Sequence, residues 1–114
     1  MNTEKIMTCI LDSWLYPILF VDCDHIIRYM NNSAKFHYYV EKGYKDLIGK
    51  SLLECHNEQS KEIIIGALEK LKNQSGEVFI GVNSKNLRMY ITPVRDEHGE
   101  LIGYFERFEL NLYT

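Results

Sequence analysis

Two strand-like segments near the carboxyl end limit the fold of this chain more than any other feature. Residues 87–112 consist of LRMYITPVRD, the polar loop EHGE and LIGYFERFELNL. Both outer segments are rich in β-branched and aromatic residues, and Gly99 supplies the positive φ that such a loop requires. We therefore predict a long antiparallel hairpin that forms the centre of a sheet.

The second strand of this hairpin has one apolar side, which the rest of the chain has to cover. The apolar side chains predicted to share it are Ile102, Tyr104, Phe108, Leu110 and Leu112. Glu106 interrupts this side, and a carboxylate there must be hydrogen-bonded, paired or exposed because burying it alone is costly. Arg88 and Arg107 are the candidate partners, and we favour a salt bridge or an exposed dimer edge over a ligand contact.

Composition indicates a single cytoplasmic domain. The chain has 114 residues, of which 46% are hydrophobic and 25% charged, and these are ordinary values for one globular domain. A net charge of −3 argues against nucleic-acid binding, which usually requires a basic surface. No apolar run is long enough for a membrane span, and no export signal is present. Cys9, Cys23 and Cys55 are odd in number and irregularly spaced, which favours reduced thiols and argues against a zinc site.

The amino-terminal part predicts a helix followed by a short hairpin. Residues 3–14 place apolar side chains at helical spacing, and Pro17 is expected to end this amphipathic helix. The helix can pack on its own sheet or on a second copy of the chain. Residues 18–30 contain two short apolar segments around a polar turn, which predicts a hairpin.

Helices are predicted between this hairpin and the last three strands. Asn31 can cap a short helix that ends at Gly43, or hold the turn there, and residues 44–50 suggest a further helical turn closed by Gly49. A longer helix follows, capped by Asn57 or Ser60 and stopped by Gly76. Its apolar face comprises Ile63, Ile64, Ala67, Leu68 and Leu71. Residues 77–83 are the third strand, and the two groups of strands are expected to meet as neighbours in one five-stranded antiparallel sheet with helices on one face.

Several segments in this order resemble the PAS sensor-domain family. They are PILFVD (17–22), IRYMN (27–31), GY (43–44), DLIGKS (46–51) and YITPVRDEHGELIG (90–103). The likeness extends over residues 17–108, and ECH at residues 54–56 is similar to a subgroup with Cys-His before the long helix. It implies an α+β PAS-like fold, with an amphipathic helix over residues 1–15 and the PAS domain over residues 16–112.

The resemblance also implies a function. A PAS domain is a sensory or interaction module, often with a small molecule or cofactor between sheet and helices. The expected mechanism is a population shift transmitted through a homodimer to a separate signalling effector. A dimerisation module without ligand is the alternative of another kind. An enzyme is disfavoured because the sequence has no phosphate loop, no nucleophile elbow and no evident acid–base pair.

His56 is the candidate ligand if the domain binds haem. In haem-binding relatives an axial His comes from this helical region, and residues 57–73 contain no other His. The second axial position would be open or filled by a residue from the sheet, with Met89 or Met30 as the candidates. The alternative is that His56 hydrogen-bonds a nearby backbone carbonyl or caps the turn. His25, His37 and His98 are interpreted as isolated residues in turns or on helix surfaces.

Without haem, the pocket would enclose an apolar metabolite or nothing. Tyr104, Phe108, Ile63 and Leu68 are its expected apolar wall, with Glu106 and Met89 nearby. Tyr38, Tyr39 and Tyr44 are further candidates for the wall. Cys55 lacks the Asn-Cys-Arg-type motif of flavin-binding relatives, and a small buried hydrophobe is the preferred interpretation.

Overall fold

The computed structural model describes residues 1–112 and contains one five-stranded antiparallel sheet with helices. The helices are α1 (Thr3–Asp12), α2 (Asn32–Lys35), a π-helix (Phe36–Glu41), a 3₁₀ helix (Leu52–Cys55) and α3 (Glu58–Asn73). The strands are β1 (Leu19–Asp22), β2 (Ile27–Met30), β3 (Val78–Val82), β4 (Leu87–Arg95) and β5 (Leu101–Leu110). The side chain of Cys55 lies outside the described residues, so its predicted burial stays a prediction.

The sheet has the strand order β2-β1-β5-β4-β3, so the two groups of strands meet where β1 pairs with β5. This confirms the predicted arrangement. The β4–β5 hairpin is central and runs in register from Leu87 opposite Leu110 to Arg95 opposite Leu101. Gly99 in its loop has a φ of 81°, which confirms the reason for a glycine at this position.

The hydrophobic core lies between one face of the sheet and α3. Ile64, Ala67, Leu68 and Leu71 of α3 are buried with sheet residues such as Ile91. Ile63 was predicted to share this face, but it is 41% exposed and lies outside the core. On β5, Tyr104 is buried, whereas Ile102 and Leu110 are exposed, because the predicted apolar side extends beyond the area that the helices cover. Leu112 is also exposed and lies beyond the end of β5 at Leu110.

Two helices end earlier than predicted. α1 ends at Asp12, where the amide of Ser13 bonds the carbonyl oxygens of Cys9 and Ile10, so Pro17 does not terminate it. α3 ends at Asn73 because Gln74 has extended backbone angles, and Gly76 therefore does not stop it.

The helical turn predicted for residues 44–50 is not formed. The backbone there pairs with β2 instead, because the Ile27 amide donates to the Lys50 carbonyl at 2.9 Å and the Gly49 amide donates to the Ile27 carbonyl at 2.8 Å. The Asp46 carboxylate also accepts the Ile48 amide at 3.2 Å, which holds a turn rather than a helix.

Asn31 joins the helices to the first hairpin and is fully buried. Its Oδ1 accepts the amides of Ile18 (2.8 Å) and Ala34 (2.9 Å), the second of which caps α2 as predicted. Its Nδ2 donates to the carbonyls of Leu11 (2.9 Å) and Tyr16 (3.2 Å). One side chain therefore fixes α1, β1 and α2 relative to one another.

Within residues 1–112, the helices are too short or too polar for any of them to cross a bilayer.

Candidate ligand-binding cleft

A cleft of about 710 Å³ lies between the inner face of the sheet and the shorter helices. Its floor is formed by β1, β4 and β5, and its walls by the segment after α1, the π-helix, the start of α3 and the β3–β4 turn. This volume falls in the range of pockets that hold small organic ligands. We refer to it below as the cleft.

Four of the seven site residues selected from the sequence line the cleft: His56, Met89, Glu106 and Phe108. The other three lie elsewhere. Tyr104 and Leu68 are buried in the core, and Ile63 is exposed on α3. Met30, the second candidate for an axial ligand, is also buried in the core and accepts a hydrogen bond from the Tyr39 hydroxyl at 3.4 Å. Tyr38 and Tyr44 line the cleft as predicted.

Glu106 is the acidic group on the floor of the cleft. It lies on β5 directly opposite Ile91, and alternation places Tyr104 and Phe108 on the same face of the strand. Burial in these apolar surroundings raises the pKa of the Glu106 carboxyl to about 7, and no described residue offsets this rise by a charge or a hydrogen bond. A carboxyl group that has no hydrogen-bond or ion-pair partner among the described residues therefore faces the cleft.

The predicted salt bridge between Glu106 and an arginine is wrong. Arg107 follows Glu106 along the strand and so lies on the opposite face of the sheet, where it bonds Glu77 (2.6 Å) and Glu109 (2.9 Å). Arg88 is opposite Glu109 in the strand register and donates to the Tyr90 hydroxyl on that same outer face. The hydrogen bonds from Arg107 lower the pKa of Glu77 and of Glu109.

His56 follows the 3₁₀ helix and lines the cleft. Its Nδ1 lies 2.9 Å from the carbonyl oxygen of Leu52. A carbonyl only accepts, so Nδ1 carries the proton and the Nε2 atom of the neutral ring has the free lone pair. The hydrogen bond to a backbone carbonyl was the predicted alternative to metal binding. The same bond also orients histidine ligands in many metal sites, so the two interpretations are compatible.

His37 also lines the cleft, although the sequence indicated only an isolated residue on a helix surface. Its Nδ1 lies 3.3 Å from a carboxylate oxygen of Glu41, and the other oxygen of Glu41 lies 3.9 Å from the Lys85 amine. The i,i+4 spacing of His37 and Glu41 was a visible signal for the pair. That the pair points toward the cleft was not predictable, because both residues lie in a π-helix, in which side chains are rotated relative to their positions in an α-helix.

The remaining histidines are outside the cleft. His25 has a φ of 63°, and its Nδ1 lies 2.8 Å from the Tyr104 hydroxyl, so it is not isolated as predicted. Desolvation lowers the pKa of His25 and raises the pKa of Tyr104. His98 lies in the exposed β4–β5 loop beside Glu97. Within the described ranges no three His, Cys, Asp or Glu side chains gather into a metal-binding group.

Comparison with known proteins identifies one family. A family model described as PAS domain matches residues 7–109. The C-terminal domain of a Streptococcus mutans protein has 24% identity and a TM-score of 0.76, with 95% of this chain and 84% of that chain covered. The PAS domain of a Colwellia psychrerythraea protein has 18% identity and a TM-score of 0.65, with 95% and 98% covered.

Sensory proteins are found among the other matches. A Vibrio cholerae receptor that is a dual PAS-heme oxygen sensor has 24% identity and a TM-score of 0.53, with 81% of this chain and 90% of that chain covered. Sensor histidine kinases are matched as well. At these identities the likeness shows the fold. No curated protein matches the sequence.

Proposed function

The chain belongs to the PAS domain family, and we propose on that premise that it is a sensory module whose cleft binds a small molecule. Relatives in this family are sensory and signalling domains of histidine kinases and receptors. The proposal assigns no catalytic step to this chain. The ligand shifts the population between two arrangements of the domain, and a separate signalling effector detects the change. Free thiols at Cys9 and Cys23 support a reducing, cytoplasmic location.

The observation that carries this proposal is the chemistry of the cleft wall. Ligand sites combine apolar surface with a few polar groups whose hydrogen-bonding capacity is unused. Here Phe108 and Met89 supply apolar surface, and the Glu106 carboxyl and the Nε2 of His56 supply unused capacity. A half-buried acid with no partner among the described residues costs stability, which supports retention for a ligand rather than for folding.

The route for the signal runs through the segment between α1 and β1. Leu15, Tyr16 and Pro17 of this segment line the cleft, so a ligand contacts them directly. Asn31 bonds the carbonyls of Leu11 and Tyr16, which ties the end of α1 to the same place. In this proposal residues 1–15 transmit the change that residues 16–112 sense, and a homodimer through α1 is the assembly that responds.

Extraction of the purified protein tests ligand binding. We expect mass spectrometry of a denatured extract to recover a small molecule from the wild type. Ser60→Trp should abolish recovery because Ser60 lines the cleft. Ile63→Trp is the matched control on the same helix, since Ile63 is exposed outside the cleft, and it should retain the ligand. Equal recovery from all three proteins, or no recovery and no thermal stabilisation by a metabolite library, would instead favour a dimerisation module without ligand.

A haem-based gas or redox sensor is the second candidate. The proton of His56 is on Nδ1, so the lone pair of Nε2 is free to bind a metal at the cleft. His56 would hold the iron, with Met89 as a second candidate ligand in the same cleft, and Lys42 and Lys85 would supply positive charge for the acidic groups of haem. Haem would supply an iron that binds a diatomic gas or exchanges an electron. Haem does not explain Glu106, whose carboxyl group has no partner in the part of the chain that the structure describes.

Reconstitution with haem tests this candidate. His56→Ala should abolish the Soret band, whereas His25→Ala and His98→Ala should retain it because both residues lie outside the cleft. His37 lines the cleft, so His37→Ala serves as a test of a rival ligand; we expect it to keep the band. A wild type that takes up no haem, or an unchanged spectrum for His56→Ala, would exclude the haem proposal.

A further inference from the structure

The strongest clue to the ligand is the environment of Glu106. Ile91 lies across from it on β4 and is 1% exposed, and Leu19 of β1, which is 6% exposed, lines the same cleft. These neighbours offer no hydrogen-bond donor from their side chains. The carboxyl group therefore has apolar surroundings on the sheet side and the open cleft on the other.

The other charged groups of the cleft do not neutralise Glu106. Glu41 is already paired with His37 at 3.3 Å and with Lys85 at 3.9 Å, and Lys42 follows Glu41 at the end of the π-helix. Within residues 1–112 none of these groups forms an ion pair or hydrogen bond with Glu106. No described residue therefore supplies a positive charge at Glu106, which leaves that role to a ligand.

Aromatic rings border the same position. Phe108 lies two residues beyond Glu106 on the same face of β5, and its ring centroid is 6.5 Å from that of Tyr16 in a tilted arrangement. Aromatic faces attract cations through their quadrupole, and they pack well against apolar ligand groups. An acid beside aromatic rings is a suitable environment for an organic ammonium group.

We propose that the ligand of the cleft is a small organic amine whose ammonium group pairs with the Glu106 carboxylate while its apolar part packs on Tyr16 and Phe108. The inference rests on the proposed sensory function and specifies its ligand class. An ammonium group supplies both the opposite charge and the hydrogen-bond donors that the carboxylate lacks. A neutral ligand would leave the charge uncompensated and would bind the protonated acid instead.

Paired probes of similar size test the ligand class. Phenethylamine and phenethyl alcohol differ in one group, which is charged in the amine and neutral in the alcohol. Calorimetric titration at pH 8 should show that the amine binds at least about tenfold more tightly, because hydrogen bonds between charged groups are stronger than those between neutral groups. E106Q should remove this preference. Met89→Leu is the control in the same cleft, because it changes the surface without changing the charge, and it should keep the preference.

The pH dependence of wild-type binding is a second test that does not depend on a variant. An ammonium ligand binds the ionised acid, so the affinity should rise about tenfold between pH 6 and pH 8, as a group with a pKa of about 7 ionises. The other ionisable groups that face the cleft are His37, His56, Glu41, Lys42, Lys85 and the tyrosine hydroxyls. A correctly folded E106Q retains all of these and should show a flat or much weaker profile.

The outcomes separate the ligand class from the function. If the alcohol binds as tightly as the amine, or if affinity falls as the pH rises, the amine inference is overturned while ligand binding stands. If neither probe binds but a ligand is recovered by extraction, the inference is likewise overturned and the function stands. If neither probe binds and extraction recovers nothing, both proposals are excluded.

Discussion

Asn31 and Glu106 are both polar side chains inside the domain, but their surroundings differ. All four hydrogen-bonding positions of the Asn31 amide are used, by the amides of Ile18 and Ala34 and the carbonyls of Leu11 and Tyr16. Glu106 has no such partner in the described part of the chain. Fully satisfied buried groups stabilise a unique arrangement, whereas unsatisfied ones reduce stability. The two residues therefore give opposite predictions for substitution.

Asn31→Ala should reduce the free energy of unfolding by about 2–4 kcal/mol, because it removes a helix cap and leaves buried backbone groups without partners. Asn31→Asp should also destabilise, since a carboxylate cannot donate to the carbonyls of Leu11 and Tyr16. Urea unfolding measures both effects. Asn32→Ala is the adjacent control with an exposed side chain, and a change within about 0.5 kcal/mol is expected there. An equal loss at both positions would contradict the assigned role of Asn31.

Glu106→Gln should stabilise the ligand-free protein, and the effect should depend on pH. The pKa of Glu106 is about 7 in the folded state against an ordinary value of 4.5, so the unfolded chain ionises first as the pH rises. Wild-type stability from this group is thus complete below pH 4.5, falls between pH 4.5 and pH 7, and is level above. The stability difference between variant and wild type should shift by up to about 3 kcal/mol in favour of the variant from pH 4.5 to pH 8. A pH-independent difference in urea unfolding would contradict the burial of Glu106 as an acid.

Single residues were predictable from the sequence where the cause is local. Asn31 after a strand and before a helix is such a case, because a cap depends on the backbone of the next few residues. That Glu106 pairs with neither Arg88 nor Arg107 was not predictable in this way. Alternation already placed Arg107 on the opposite face of β5, but the cross-strand register that puts Arg88 opposite Glu109 is set by the hairpin as a whole.

At the scale of elements, the strands and long helices were predicted and the irregular segments were not. The β4–β5 hairpin and α3 have strong periodicity, and both formed. Residues 44–50 contain turn-forming residues but take their hydrogen bonds from β2, which is distant in sequence. The π-helix has no residue signature in the chain, yet it brings His37 to the cleft. Part of the cleft wall therefore follows from structure that local sequence patterns do not predict.

Gly103 lies on β5 where the two groups of strands meet. It lies opposite Asp22, and a methyl group at this position would collide with the Val21 carbonyl oxygen and the Phe20 ring. Gly103→Ala should therefore lower the free energy of unfolding by about 2 kcal/mol or more, because backbone has to move. Gly66→Ala is the control, since Gly66 lies in α3 with no neighbouring atom in its way, and it should stabilise by up to about 1 kcal/mol. Denaturant unfolding of both variants checks the pair, and equal stability would contradict the close approach of β1 and β5.

At the scale of the whole molecule, α1 is anchored at one end and uncovered along its apolar side. Asn31 holds the carbonyl of Leu11, and the Asp12 carboxylate accepts the amide of Asn32 at 3.0 Å. In contrast, Ile6 and Ile10 are 43% and 60% exposed in the single chain. An anchored helix with an uncovered apolar side is a surface that a second copy can bury. The outer face of the sheet is the alternative interface, but its arginines are already paired with Glu77 and Glu109.

We expect a homodimer that buries Ile6, Ile10 and Trp14, and sedimentation at several concentrations measures it. Ile6→Glu combined with Ile10→Glu should weaken association at least about a hundredfold, because each buried isoleucine contributes roughly 1.5–3 kcal/mol and each glutamate adds a charge. These substitutions leave Leu11 and Asp12 in place, so they separate association from the anchoring of α1, which deletion of residues 1–13 does not.

Phe79→Glu on the outer face is the control and should leave the dimer intact, because Phe79 is remote from α1 on β3 at the sheet edge. If only Phe79→Glu abolishes the dimer, the interface lies on the outer face of the sheet and not on α1. A wild type that stays monomeric at high micromolar concentration would exclude both interfaces. A ligand that contacts Leu15 and Tyr16 lies next to the proposed interface, so dimer affinity should change when the cleft is filled, and the same sedimentation measurement detects that coupling.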